Sequence, residues 1–329
     1  MSAFKALWVT ENSEGGTTIE ITERDSSALP AGEVLVQVSY SSLNYKDALS
    51  ASGNKGVTRN YPHTPGIDAA GTVLESSVAE FNPGDEVICT GYDLGMNTCG
   101  GFAQQIRVPA AWLLKRPQGL SLREAMVLGT AGLTAALCVD KLEKAGVEPG
   151  QGPVLVTGAT GGVGSVAVKL LAQLGYEVVA ATGKEAEHEL LLSLGASAVI
   201  SRAELAANAN KPMLKEQWAA AVDTVGGELL FNVVKSLKYG GSVACCGLTA
   251  GTNFNANVFP FILRGVNLLG VDSVELPLVV KASMWDKLSL QWKLDLSALV
   301  REVSLHELPA AIEQILAGQA TGRTLVKLR

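Results

Sequence analysis

Between residues 153 and 246 the sequence alternates short, wholly apolar runs with segments of helical period. Val154-Leu-Val-Thr157, residues 177–181, Ala198-Val-Ile200, residues 219–223 and residues 242–246 read as strands. Residues 163–174, 185–194 and 228–237 read as helices, the first two stopped at Gly175 and Gly195. Strands that are apolar on both sides need cover on both faces, and helical crossovers join such strands in parallel. This stretch therefore predicts a doubly wound α/β parallel sheet.

The flanks have a different period. Residues 34–40, 66–75, 85–90 and 102–108 read as short strands, separated by turn clusters such as Leu29-Pro-Ala-Gly32 and Asn82-Pro-Gly-Asp85. That spacing suggests a compact, barrel-like β-rich domain. Ser121-Leu-Arg-Glu124 has capping-box spacing and opens a long apolar helical segment ending near Gly146. The tail adds a strand near residues 266–271, helices near 278–290 and 308–316, and a closing strand at 324–328. Head and tail thus read as one discontinuous domain around the parallel-sheet unit. A length of 329 residues fits two domains at roughly 150 residues each.

Composition excludes several classes. With 47% hydrophobic and 18% charged residues the chain can bury a large core, which rules out disorder as its main state. A net charge of −6 offers no footprint for nucleic acid and no attraction to an anionic membrane. The five cysteines, Cys89, Cys99, Cys138, Cys245 and Cys246, lack C-x-x-C spacing, so reduced core thiols are expected rather than a disulfide framework. The N-terminal apolar stretch is too short for a signal sequence, and the tract at 128–139 falls short of the ~20 residues a membrane span needs. A cytoplasmic location is expected.

Gly158-Ala-Thr160-Gly161-Gly162-Val163-Gly164 follows one predicted strand and opens a helix. In that context the absent side chains let the backbone approach a pyrophosphate, whose charge the helix N-terminus favours. The next strand ends Ala180-Ala-Thr182-Gly183-Lys184, with a cation where an NAD site usually carries Asp or Glu. Thr182, Gly183, Lys184 and Arg202 would suit a ribose 2′-phosphate, and NADPH is the expected cofactor. Glu185 and Glu187 argue the other way, although acids are favoured in a first helical turn without any ligand.

Ser42-Leu-Asn44-Tyr45-Lys46-Asp47, Pro65-Gly-Ile-Asp-Ala-Ala-Gly71, Gly84-Asp-Glu-Val87, Gly129-Thr-Ala-Gly-Leu-Thr-Ala135, the Gly158 turn and Gly322-Arg-Thr-Leu-Val-Lys-Leu328 occur in series. The chain resembles the medium-chain dehydrogenase/reductase superfamily over essentially its full length. Thr182-Gly-Lys184, Cys246-Gly-Leu248, Pro260-Phe-Ile-Leu-Arg264 and Gly270-Val-Asp-Ser273 resemble its quinone-oxidoreductase-like branch, which includes NADPH-dependent acryloyl-CoA reductases. The resemblance implies a GroES-like β-rich catalytic domain over 1–124 and 265–329, and a Rossmann cofactor domain over 125–264. It also implies edge-to-edge pairing of the strand near 266–271, hence a homodimer. The zinc-dependent members carry Gly-His-Glu where this chain has Gly66-Ile-Asp68, and a liganding Cys where it has Asn44. No imidazole–thiolate set is visible, and His63, His188 and His306 are scattered, so no metal is expected.

Without a Lewis acid, hydride delivery needs an electron-poor acceptor, such as a C=C conjugated to a thioester. Tyr45, a phenol, and Asn44, an amide donor, are the candidate catalytic residues; Tyr45 could equally pack on the nicotinamide. Asp47 would order the Asn44–Lys46 loop. Thr130 and Thr134 would line the nicotinamide side, although both suit a core helix. Leu248, Ile262 and Ser273 fall near the crevice at the strands' carboxyl ends, and Arg323 could reach the cofactor or lie in solvent. The expected activity is reduction of a small 2-enoyl-CoA, with acryloyl-CoA the first candidate. The alternatives are NADPH:quinone oxidoreduction and, from another class, a redox sensor that binds NADPH without turnover.

Overall fold

The computed structural model describes residues 3–13 and 15–329. The chain opens with strands β1 (Ala3–Glu11), β2 (Thr17–Asp25) and β3 (Val34–Leu43), then helix α1 (Tyr45–Ala51). Strands β4 (Asp68–Ser76), β5 (Glu86–Thr90), β6 (Gln105–Val108) and β7 (Leu113–Lys115) lead to helix α2 (Leu122–Lys144). Alternation follows: β8 (Val154–Thr157), α3 (Gly162–Gln173), β9 (Val178–Thr182), α4 (His188–Ser193), β10 (Ala198–Ser201) and α5 (Arg202–Ala206). It continues through β11 (Trp218–Asp223), α6 (Gly227–Ser236), β12 (Leu237–Cys245), α7 (Phe259–Arg264) and β13 (Asn267–Gly270). The tail holds α8 (Leu278–Ser289), β14 (Val300–Ser304), α9 (Leu308–Leu316) and β15 (Arg323–Lys327).

Two compact units emerge, one from the chain up to Thr130 together with Ser273–Arg329, the other from Ala131–Asp272. The boundaries at 124/125 and 264/265 expected from sequence thus move to 130/131 and 272/273. Thr130 belongs to the first unit because it is bonded to Asp68. The strand near 266–271, read as part of the tail, pairs in parallel with β12 as β13 and so belongs to the second unit.

In the first unit a seven-stranded sheet runs β14-β15-β3-β4-β5-β7, with β6 also on β3; only the β14–β15 pair is parallel. Its inner faces bury Leu7, Val36, Val73, Phe102, Ile106, Leu308 and Val326 in one core. Two registers matter for the site. Thr324 on β15 lies opposite Leu43 at the end of β3, and Asp68 at the start of β4 lies opposite Thr90 at the end of β5. The β1–β2 hairpin, β14 and α1 were not legible as elements. The segment expected to be an ordered loop at 44–46 is the start of α1, because the Asp47 carboxylate reaches back to the Asn44 amide at 2.8 Å and caps it.

In the second unit six strands run β10-β9-β8-β11-β12-β13, all parallel. β8, β9 and β11 are buried along their whole length, as strands covered on both faces must be. The capping box at Ser121 and Glu124 is present, with the Ser121 amide on Glu124 Oε2 at 2.7 Å and the Glu124 amide on Ser121 Oγ at 3.1 Å. The helix it starts is not continuous: α2 breaks at Gly129, whose φ is 52° and ψ is −156°.

Candidate active site

The first unit gathers a buried polar cluster from four separate stretches. The Asp68 carboxylate accepts from Ser42 Oγ, from Asn44 Nδ2 at 2.7 Å, and from both the amide (2.9 Å) and the hydroxyl (2.6 Å) of Thr130. Asp47 accepts from the Asn44 amide with one oxygen and from the Ile67 amide with the other, both at 2.8 Å. Arg323, 2% exposed, donates through Nε to Val127 O at 2.9 Å and through Nη1 to Asn44 Oδ1 at 3.4 Å. Its Nη2 is buried with no hydrogen-bond partner among the described residues. The break in α2 makes this arrangement possible. A Cβ on Gly129 would sit 2.6 Å from Asp68 Oδ2 and 3.1 Å from Arg323 Nη2, and the positive φ excludes one independently.

Charge is concentrated here. Burial, and secondarily the Asp68 carboxylate, push the Asp47 carboxyl up to about 7. Burial likewise lowers Arg323 from its usual value, opposed by Asp68 and Asp47. A guanidinium facing two acids keeps the cluster near neutrality, which is what lets charges persist away from water.

These contacts redistribute the expected roles. Both amide hydrogens of Asn44 are committed inside the cluster, so it acts as a brace between Asp68 and Arg323 rather than as a free donor. Thr130 is likewise committed to Asp68, although Thr130 and Thr134 also have further interactions. Arg323 is neither solvated nor extended outward; it is sealed in the first unit. Tyr45, the first residue of α1, is half-buried, and its hydroxyl makes no hydrogen bond among the described residues. Asp68, Ser42 and Gly129 complete the cluster, and their only signal in the sequence is their place in the Ser42–Asp47, Pro65–Gly71 and Gly129–Ala135 motifs.

In the second unit the glycine-rich turn joins β8 directly to α3. Gly164 packs so closely on the Gly158–Ala159 backbone that a Cβ would lie 2.8 Å from Ala159 Cα, so helix α3 can start immediately behind β8. Thr160 Oγ1 stands 3.4 Å from Thr182 Oγ1, joining the turn to the end of β9. Thr182 Oγ1 in turn accepts from the Lys184 amide at 3.1 Å. Thr182 is the register partner of Ser201, so the ends of β9 and β10 set Gly183 and Lys184 beside Arg202. Gly183 and Arg202 are exposed, and Gly161, Gly162, Val163 and Lys184 are half-buried. Burial lowers the Lys184 ammonium somewhat, with Glu187 acting in the opposite sense. Open glycine backbone, two hydroxyls and two cations at the carboxyl edge of a parallel sheet fit a phosphorylated adenosine ribose. Leu248, 52% exposed, follows β12, and Ile262, 69% exposed, lies on α7; Ser273 is buried at the start of the returning segment.

Known proteins match both units. The alcohol dehydrogenase GroES-like domain family matches residues 30–118, and the zinc-binding dehydrogenase family matches residues 162–289. The acrylyl-CoA reductase AcuI of Ruegeria pomeroyi is 47% identical over 325 residues, 98% of each chain. The chain belongs to the medium-chain dehydrogenase/reductase superfamily. It is an oxidoreductase with quinone-oxidoreductase-like and acrylyl-CoA reductase relatives. The crystal structure of Escherichia coli YhdH with bound NADPH superposes with a TM-score of 0.95 at 49% identity, covering 98% of this chain and 100% of that one. Bacillus subtilis YhfP, named a candidate quinone oxidoreductase, is 48% identical over 99% of each chain. Its crystal structure with NAD bound gives a TM-score of 0.96 with both chains fully covered.

One family description implies zinc, and the residues do not fit it. Asp68 already accepts four hydrogen bonds, Asn44 and Ile67 bring neither thiolate nor imidazole, and Arg323 places a cation beside the acids. Among the described residues no three His, Cys, Asp or Glu side chains gather to hold a metal ion. Cys89 and Cys138 are buried thiols, while Cys99, Cys245 and Cys246 are half-buried.

Proposed function

We propose that the protein reduces the conjugated C=C of a small 2-enoyl-CoA, with acryloyl-CoA as the first candidate, using NADPH and no metal. The observation carrying this reading is the sealed Asn44–Asp68–Arg323 cluster. Its Asn44 and Asp68 stand where the zinc-dependent members carry a liganding Cys and the Glu of Gly-His-Glu, and the Tyr45 phenol next to Asn44 in the chain is a proton-bearing group outside the cluster's bonds. Bound NADPH would supply a hydride. Thr160, Gly161, Gly162 and Val163 would face the pyrophosphate, and Thr182, Gly183, Lys184 and Arg202 the 2′-phosphate. Thr134, Leu248, Ile262 and Ser273 would line the remainder of the cofactor. Asn44, Asp47 and Asp68 hold the start of α1, and through it Tyr45, whose hydroxyl would donate to the acyl oxygen as negative charge develops there. Arg323 would act from a distance, as the cation that keeps this frame neutral.

Quinone reduction is the second reading, supported by the likeness to YhfP. Stopped-flow oxidation of NADPH with acryloyl-CoA, crotonyl-CoA and benzoquinone separates the two. We expect kcat/KM to be highest for acryloyl-CoA; a benzoquinone value larger by orders of magnitude would overturn the enoyl reading. A cytoplasmic homodimer completes the proposal. β13 ends the parallel sheet, and α7 next to it in sequence exposes Phe259 and Leu263, an apolar edge suited to a second copy. Light scattering at micromolar concentration should give twice the chain mass.

A further inference from the structure

Lys281 is 1% exposed, yet it is not part of the cluster described above. From α8 its ammonium donates to Thr90 O at 2.7 Å and to Val274 O at 2.8 Å, and it lies 3.4 Å from the centre of the Tyr92 ring. Tyr92 grips the same segment twice more, its amide on Val274 O at 3.1 Å and its hydroxyl on Leu276 O at 3.2 Å. The grip demands an uncommon backbone, since Tyr92 has a φ of 53° and stacks on Trp112 at 5.9 Å. Non-glycine residues persist in that conformation only where their surroundings over-determine it, and such positions cluster at functional sites. Gly91, with a φ of 76° that disfavours any side chain, is tightly enclosed: a Cβ would lie 3.2 Å from Lys281 Nζ and 3.0 Å from Val274 O.

A buried lysine is an expensive way to hold a loop. Desolvating an ammonium opposes folding, and a packed apolar residue at the same place would avoid that penalty. What the cation provides is direction. Two carbonyls and one ring face fix its position, and through Val274 it fixes the strap of residues 274–276. Ser273, buried, is the residue immediately before that strap. The other anchor, Thr90, lies opposite Asp68 in the sheet register, so the strap is referenced to the strand that carries the acid cluster.

We propose that Lys281 is a positioning residue for cofactor binding: its caged ammonium fixes the 274–276 strap and thereby holds Ser273 where it meets the reduced nicotinamide cofactor. The inference rests on the reading of Ser273 as a cofactor contact. Lys281→Met, Ser273→Ala, the double variant and Tyr92→Phe are compared with the parent protein by NADPH Kd, by KM for NADPH against kcat, and by thermal melting.

The expected result is a roughly tenfold rise in NADPH Kd and KM for Lys281→Met, with kcat within about twofold. A similar rise is expected for Ser273→Ala, and the double variant should be no weaker than the worse single one, since the two act through one contact. A melting shift with unchanged Kd, or additive losses in the double variant, would overturn the inference. Where Lys281→Met fails to fold, Tyr92→Phe decides, with a roughly two- to threefold rise in Kd that vanishes on the Ser273→Ala background; no rise would refute it. An unchanged Kd in Ser273→Ala overturns the reading of Ser273 and this inference with it. A raised Kd there, beside an unchanged one in folded Lys281→Met, overturns this inference alone.

Discussion

The two units present their candidate residues by opposite strategies. At the end of the parallel sheet the chemistry is carried by backbone: a glycine-rich turn, a helix N-terminus, and strand ends that bring Thr182, Lys184 and Arg202 together because β9 and β10 are neighbours. In the first unit it is carried by side chains, with residues from 42–47, 66–68, 129–130 and 323 meeting on two carboxylates. A backbone site tolerates the loss of one side chain. A closed network does not, because each partner removed leaves several others buried and unsatisfied.

The sharpest way to break that contrast is Asp68→Ala. It strands Ser42, Asn44 and both Thr130 donors and leaves Arg323 facing one acid fewer, so a loss of about 3–5 kcal/mol is expected in chemical denaturation. A loss below 1 kcal/mol would mean that the network is not the frame described.

Lys184→Ala should behave oppositely, with stability nearly unchanged and affinity altered for one ligand only. NADPH binding should weaken roughly ten- to a hundredfold, the worth of one or two charge-assisted hydrogen bonds, with NADH binding unaffected. Titration of both nucleotides checks this, and equal losses would remove the 2′-phosphate assignment. The bound NAD in YhfP makes the measurement pointed, because it shows that a relative 48% identical accommodates the unphosphorylated cofactor.

A third effect concerns protons and is read as a slope against pH. The Asp47 carboxyl titrates at about 7 when folded, against an ordinary 3.8. Below about pH 4 both folded and unfolded chains carry this proton. Between there and pH 7 only the folded chain keeps it, so unfolding releases a proton and stability from this group falls as pH rises, by at most about 1.4 kcal/mol per pH unit. Above pH 7 that contribution is gone. Denaturation midpoints of Asp47→Asn should be flatter across this window than those of the parent, and parallel curves would contradict the assignment.

The same contrast explains what could be read from the sequence. The parallel sheet, its glycine turn and the Ser121 cap follow from local rules of period, turn chemistry and capping, which need no knowledge of distant residues. The cluster obeys no such rule. Asp68 opens an ordinary-looking strand, and Arg323 lies some 250 residues further on; only the pairing of β15 with β3 brings it near Asn44. β13 was placed in the wrong unit for a related reason, since a four-residue apolar strand does not announce which sheet it will join. Tyr45, Lys184 and Gly161 can be proposed from sequence because each stands in a local motif, whereas the bonds that commit Asn44 and bury Arg323 come from residues distant in the chain.

The bend at Gly129 has a practical consequence for anyone reshaping this protein. Libraries aimed at broader substrate scope usually sample every residue near a candidate active site, yet this codon has no useful neighbours in mutational space. Every side chain there collides with the acid it shelters, so diversity should be directed at Tyr45 and Lys46, on the open first turn of α1, and position 129 left untouched.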